Sequence, residues 1–419
     1  MIYQSPLKRI LGEDSFQWLI VLCCYLIFAG LVGSRALASI GMISLLGLSV
    51  VYYGPLTAVK SYLARKELLF LSLFLLIVVF SGIYSADKHS WLNWVRVKLP
   101  YIALPLAFAP VARLSEKRFT AILSGFVVIL SASVLIVLLN YFANYKAITE
   151  ALNRGNAIPI PFTHSHISHI RYTLMLAFAF FGCWYMLEQK KFVYKASEKW
   201  LQGFLMAFLF VALHILTVRS SLLALYLGIF ILLIRWIFIG KKFISGVALL
   251  LIMLAIPYAG SKTIPSWQNK LAYMDYDKNQ FLKGDFSNLS DGVRLISMQG
   301  GLQLAKQNIW LGVGAGDLKS EMDKFYSTAY PQLPEADHKL PHNQLIWTLA
   351  TTGVIGLSIF LIAFLLPVIF NGNYKNWLFV IFHLTLFSSF FTEATLEEQI
   401  GTGFYLTLLL VFMNYFKQE

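Results

Sequence analysis

His342 and Arg219 are the side chains of this 419-residue chain whose type and setting invite chemistry. His342 closes a polar stretch that starts near residue 260, and an apolar run begins at once from Asn343. An imidazole at such a junction lies at a membrane surface and titrates near neutral pH, so it can take a proton from a hydroxyl where lipid and water meet. The plainer alternative is a helix cap or an interfacial residue. Arg219 stands in the segment Thr217-Val-Arg-Ser-Ser221, a connection between two apolar runs too short to leave the membrane surface. Its planar fork of donors stays charged at any relevant pH and matches phosphate oxygens. The alternative is an anchor whose stem snorkels to the interface.

The elements that must position these residues are membrane spans. With 58% hydrophobic and only 13% charged residues and a mean hydropathy of +0.66, the chain is too apolar for a soluble globule. A span needs about 20 mostly apolar residues. Runs that meet this need lie near 16–34, 36–54, 68–85, 98–112, 119–142, 170–187, 200–218, 220–239, 243–259, 343–370, 376–392 and 399–416. The expected fold is therefore an all-α polytopic membrane protein of about 12 transmembrane helices. Long continuous apolar runs exclude a β-barrel, which needs short alternating strands. Three parts follow: membrane helices in 1–259, one large external loop with short helices in 260–342, and further membrane helices in 343–419.

Lysine and arginine set the orientation. With the N-terminus cytoplasmic, the short loops on that side carry Lys8, Arg9, Lys60, Arg65, Arg113 and Lys191 among others, about twice the content of the opposite loops. Both termini are then inside and residues 260–342 outside. The net charge of +13 is mostly this topological signal. Nucleic-acid binding would need a basic soluble face, whereas 260–342 holds nine basic and nine acidic residues. Lys8 and Arg9 before the first apolar run mimic a signal peptide, but the run exceeds a usual h-region and a second span follows directly. Cys23, Cys24 and Cys183 all fall in apolar runs without a CxxC pair, which argues against a disulfide framework or a thiolate metal site.

Within 260–342, Ser290-Asp291 opens a helical pattern in which Leu295, Met298, Leu302 and Ala305 recur at three- and four-residue spacings. Gly312 to Gly316 form a tight turn, and Pro331, Pro334 and Pro341 lead to His342.

The pattern His342-Asn343-x9-Gly353-x2-Gly356 resembles the signature of the O-antigen ligase and O-antigen polymerase superfamily of bacterial envelope glycosyltransferases. Arg219-Ser-Ser-Leu-Leu223 looks like that family's R-x3-L element, and Arg294 looks like its second functional arginine. The resemblance is closest over 212–223 and 290–356 and implies a membrane glycosyltransferase fold of the C type. It also implies a substrate, a sugar chain on undecaprenyl diphosphate. Negative charge builds on the bridging oxygen as the anomeric carbon is attacked, and Arg219 and Arg294 would stabilise it. His342 would be the base. Asn343 would orient its ring or bind a sugar hydroxyl, and Gly353 and Gly356 suit close packing between spans.

Weaker signals surround these. Gly314 and its turn offer backbone amides to a diphosphate, although a plain turn between helices is the simpler reading. His164, His166 and His169 fit no standard zinc spacing and read as a polar helix start lining the sugar site, with Arg171 as a third phosphate contact. His214, inside a span, reads as a core histidine with a polar neighbour. Glu393, Glu397 and Glu398 cluster at a membrane boundary, where carboxylates are costly enough to suggest a role. Glu393 would hold the His342 ring or bind acceptor hydroxyls; the alternative for the cluster is a solvated loop. Asp275-Tyr-Asp277 matches an Asp-x-Asp metal element only superficially, and neither metal nor cofactor is expected.

The resemblance thus implies an inverting, metal-independent glycosyltransferase of the bacterial inner membrane with its site facing the periplasm. It would move a glycan from undecaprenyl diphosphate to lipid A-core as an O-antigen ligase in lipopolysaccharide biosynthesis, with membrane lipid around it and no nucleic-acid partner. A polymerase or protein O-oligosaccharyltransferase differs only in its acceptor. A transporter or flippase of a lipid-linked or anionic solute is the alternative of another class, but its charges would sit near mid-membrane.

Overall fold

A computed structural model describes residues 8, 10–153, 156–160, 168–241, 243–263, 265–284 and 291–416, and among them every regular element is a helix. The first two helices, α1 (Glu13–Gly33) and α2 (Arg35–Tyr53), form a hairpin hinged at Ser34, whose extended backbone ends one helix and whose hydroxyl caps the next. Gly54, at φ +87°, stops α2, and Pro55 opens α3 (Pro55–Ala64). The third apolar run is not one continuous α-helix. Its short α4 (Lys66–Leu69) passes through a 3-10 turn at Phe70–Ser72 into α5 (Leu73–Ser81).

Asp87 caps α6 (Lys88–Lys98), and the proline-rich run yields the brief α7 (Pro100–Phe108). Ser115 caps α8 (Glu116–Ala143), followed by α9 (Tyr145–Asn153). Four long apolar helices come next: α10 (His169–Glu188), α11 (Glu198–Leu216), α12 (Arg219–Phe238) and α13 (Phe243–Thr263). The segment expected to start at 260 begins slightly later, after Thr263, with α14 (Pro265–Leu282), α15 (Asp291–Gln307) and α16 (Leu318–Ala329). Asn343 then caps α17 (Gln344–Ile369), Asn376 caps α18 (Trp377–Ser389), and α19 (Gln399–Tyr415) closes the bundle.

Eight of these helices are long and apolar enough to cross a membrane. The other four expected positions hold the shorter α4–α5, α7, α18 and α19, cut by the 3-10 turn, by prolines and by polar caps. The core runs through α10, buried along most of its length and packed against α8, α11, α12 and α18, and through the almost wholly buried α19. By contrast α13 lies at the periphery, with little of its surface covered.

The helix expected from Asp291 is present. Val293, Ile296, Gly300, Leu304 and Ala305 pack inward, Met298 is half-buried, and Leu295 and Leu302 are exposed. The pair of glycines sets this face. A Cβ at Gly300 would meet Phe325 at 2.6 Å, and one at Gly301 would meet Ile346 and Pro341 at 2.7 Å, so the slender side of α15 is the one that lies against α16 and the start of α17.

Gly353 shows a departure from expectation. It sits at φ +64° and breaks α17 ten residues in. The segment 309–314 fills the break: Val313 N donates to Ala350 O at 2.8 Å, Gly314 N to Thr351 O at 2.9 Å, and Val354 N to Ile309 O at 2.8 Å. A Cβ on Gly353 would lie 2.2 Å from the Trp310 carbonyl carbon. Close packing was expected here, but it is against a loop backbone instead of a neighbouring span. The same loop is fixed from its other side by Ser85 and by the Asp317 carboxylate, which accepts from Ala86 N and Asp87 N at 2.7 and 2.8 Å.

Candidate active site

At one end of the bundle the starts of α10, α12, α15 and α17 surround a cleft of about 630 Å³. Arg219, Arg294 and His342 all line it. Each is placed by a local rule. Arg219 is the first residue of α12, held at the helix start because Thr217 takes a left-handed turn at φ +52°. Arg294 lies three residues after Asp291 on α15, and that spacing puts both on one face. His342 immediately precedes the Asn343 cap of α17.

The Ser297 hydroxyl joins two of these positions. It donates to Arg294 O at 2.7 Å and accepts from His342 N at 3.3 Å, so the backbone of the histidine is keyed to the helix that carries the arginine. Arg219 Nη2 lies 2.7 Å from both oxygens of Asp291. Arg294 makes no ion pair within 4.0 Å among the described residues and remains available to a ligand.

Behind His342 stands Glu393. Its Oε2 is 3.7 Å from His342 Nδ1, which turns Nε2 of the ring toward the cleft. The carboxylate is about nine-tenths buried, and burial pushes its pKa up. The His342 ring and the charges of Arg171, His342 and Arg294 outweigh that effect and hold the group below the ordinary glutamate range.

Arg171, expected as a phosphate contact, is buried away from the cleft wall. Its guanidinium reaches Glu393 Oε1, Glu398 Oε2 and Ala394 O, each at 2.9 Å, and Thr395 O at 3.3 Å. It therefore anchors the loop that carries Glu393. On the far side of that loop Lys98 donates to Glu397 Oε1 and Leu396 O at 2.8 Å, while Gln344 Nε2 meets the same carboxylate at 2.6 Å. Thus Glu397 is no solvated loop residue but half of a buried ion pair.

Gly314 does not support the cleft either, because its amide is already bonded to Thr351 O and Ser85 fills the space a Cβ would take. Asn343 uses its side-chain oxygen to cap α17 through Leu345 N and Ile346 N at 2.9 and 3.0 Å. His169 lines the cleft and bonds Ile158 O at 3.0 Å; His164 and His166 lie outside the described residues. His214 pairs with the Tyr226 hydroxyl at 2.7 Å, as a core histidine should.

The Asp-x-Asp element falls on α14, where residues two apart point to different sides of the helix. Asp275 is exposed, and the buried Asp277 caps α15 by accepting from Asp291 N at 2.8 Å and Gly292 N at 3.0 Å. Two carboxylates so arranged cannot share one ion.

Sequence reasoning missed Lys270 and Asp291, which line the same cleft. The Asp291-x2-Arg294 spacing was a readable hint; Lys270 had none, because only the fold brings α14 over the site.

The described residues thus form an all-helical bundle, rich in helices apolar enough to cross a membrane, with a cationic, histidine-bearing cleft at one end. Residues 204–361 match the family model described as O-Antigen ligase. That stretch contains Arg219, Lys270, Asp291, Arg294 and His342, and it stops before Glu393. No curated protein matches the chain. The family is one of membrane proteins that transfer glycans, with a lipid-linked glycan and a glycan acceptor as its substrates.

Proposed function

We propose that the protein is an inverting, metal-independent glycosyltransferase that moves a glycan from undecaprenyl diphosphate to lipid A-core, an O-antigen ligase. The observation that carries this is the meeting of His342, backed by Glu393, with Arg219 and Arg294 in one cleft. In the reaction the acceptor hydroxyl oxygen attacks the anomeric carbon from the face opposite the diphosphate. The bond from that carbon to the bridging oxygen breaks, its electron pair stays with the departing diphosphate, and the hydroxyl proton goes to His342 Nε2. Glu393 stabilises the imidazolium so formed. Arg219 and Arg294 stabilise the charge that grows on the leaving oxygen.

The lysine and arginine bias of the short loops supports a bacterial inner-membrane location with this cleft on the periplasmic side. A surface cleft opening beside apolar residues such as Leu216, Leu295 and Met298 suits a substrate with a lipid tail and a polar head better than a transport path through mid-membrane.

The deciding experiment incubates purified protein with a polyprenyl-diphosphate glycan and lipid A-core acceptor. The expected result is a new glycan–core linkage and released polyprenyl diphosphate. A transporter would leave the donor covalently unchanged. Transfer to a second lipid-linked glycan, or to protein, in place of core would assign the polymerase or oligosaccharyltransferase role.

A further inference from the structure

The catalytic reading leaves one charged side chain of the cleft without a part. Lys270, on α14, lines the cleft with Arg219 from α12 and Arg294 from α15, so three separate helices bring three cations to one wall. Against them the cleft lining holds a single carboxylate among the described residues, that of Asp291. Arg219 Nη2 holds both oxygens of that carboxylate, whereas Lys270 and Arg294 form no ion pair within 4.0 Å among the described residues. The nearby Asp277 carboxylate is turned to the amides at the start of α15. Lys270 Nζ lies 5.5 Å from the centroid of the Tyr273 ring, a cation–π contact that steadies the ammonium at the cleft wall.

This is a site short of anions. Burial lowers the Lys270 pKa, the charges of Arg219 and Arg294 lower it further, and Asp291 and Asp277 only partly offset them. An ordinary structural ion-pair network would balance its charges. Here three lysine and arginine cations and one carboxylate leave an excess of two positive charges among the described lysine, arginine and carboxylate groups of the lining. A glycosyl prenyl diphosphate carries one ionised oxygen on each phosphate, which is two negative charges. A monophosphate diester would carry one.

We propose that Lys270 is a third donor-contacting residue and that Asp291 is a resident anion, which the diphosphate displaces from Arg219. The proposal rests on the transferase reading and deepens it. Arg294 and Lys270 receive the phosphates first, since neither has an ion-pair partner among the described residues to give up. Arg219 then exchanges one anion for another. The trio selects a diphosphate over a monophosphate, and Asp291 weakens every anion's binding by competing for Arg219.

The test uses the full chain in nanodiscs with three probes: farnesyl diphosphate and farnesyl monophosphate, each closed at its terminal phosphate as a methyl ester so that they carry two negative charges and one, and inorganic pyrophosphate. Wild-type protein is expected to prefer the diphosphate lipid over the monophosphate, and over pyrophosphate, which lacks the tail. Lys270→Met should weaken farnesyl diphosphate about tenfold, the scale of one contact to a charged group, and farnesyl monophosphate distinctly less. Lys270→Arg should restore most of the preference. Asp291→Asn should tighten farnesyl diphosphate binding, and thermal unfolding of each variant separates binding from folding. The proposal is overturned if Lys270→Met binds all probes as wild type does, if it loses them equally together with thermal stability, or if Asp291→Asn weakens the diphosphate. Because binding is read without turnover, a protein that held diphosphate through Lys270 but transferred no glycan would sink the transferase reading alone.

Discussion

His342 Nδ1 faces Glu393 Oε2 at 3.7 Å, while Arg171 Nη2 holds the other oxygen of the same carboxylate at 2.9 Å. The carboxylate is thus fixed from behind by a buried cation and can orient the ring without drifting toward it. His342→Ala should lower transfer by roughly 10²–10⁴ with donor binding little changed, the usual range for loss of a general base. Glu393→Gln should lower turnover by less than His342→Ala does and leave donor binding little changed, because it removes the charge that stabilises the imidazolium formed during transfer. Unchanged turnover in single-turnover measurements would deny the pairing.

The depressed Glu393 pKa has a stability consequence of definite sign. A carboxyl whose folded pKa lies below its unfolded value of about 4.3 contributes stability above that pH and loses it as pH falls through the folded value. Thermal unfolding in detergent between pH 7 and pH 4 should show a steeper acid-side loss for wild type than for Glu393→Gln.

Arg219→Ala and Arg294→Ala should weaken both donor affinity and turnover, since a phosphate clamp acts before and during bond breaking. Lysine at either position should rescue only partly, keeping charge but not the planar fork. Transfer should also persist in chelator without added divalent ion. Activity lost in chelator and restored by magnesium or manganese would return attention to Asp275 and Asp277.

Gly353 offers a test by opposite signs. In an unbroken helix, glycine to alanine stabilises by about 1 kcal/mol. At φ +64°, with the Trp310 carbonyl carbon 2.2 Å from the new Cβ, alanine should instead destabilise, by about 1–3 kcal/mol or more. The unfolding temperature of purified Gly353→Ala decides which description of α17 holds.

Lys98→Met should cost about 3–5 kcal/mol, because it strands the Glu397 carboxylate in the interior. Lys98→Met with Glu397→Leu removes both charges and should recover much of that loss. If the single and double variants unfold alike, the pair contributes nothing to holding the Glu393 loop.

Much of this architecture is legible in the sequence because lipid imposes length and apolarity on anything that crosses it. The positions of the helices, the start of α15 at Asp291 and the three residues His342, Arg219 and Arg294 could all be read, the last three from a spacing and a resemblance. What could not be read depends on contacts between distant segments. Gly353 looks like a packing glycine until the loop at 309–314 is seen to bond across it. Arg171 looks like a free cation until Glu393 and Glu398, more than two hundred residues later, close around it. The inward face of α15 is set by Gly300 and Gly301, which allow closer approach than any leucine.

The clip between residues 309–314 and the break in α17 sets a timetable for how the protein is made. Four backbone groups at the break, the carbonyls of Ala350 and Thr351 and the amides of Val354 and Ile355, find partners only in that loop. In lipid each would cost several kcal/mol if left bare. The break lies about 15 Å along α17 from its start. The loop precedes α17 in the chain, so it is made before the helix that needs it. On the proposed topology, α17 becomes a complete span only once this short glycine-rich loop has docked at its break.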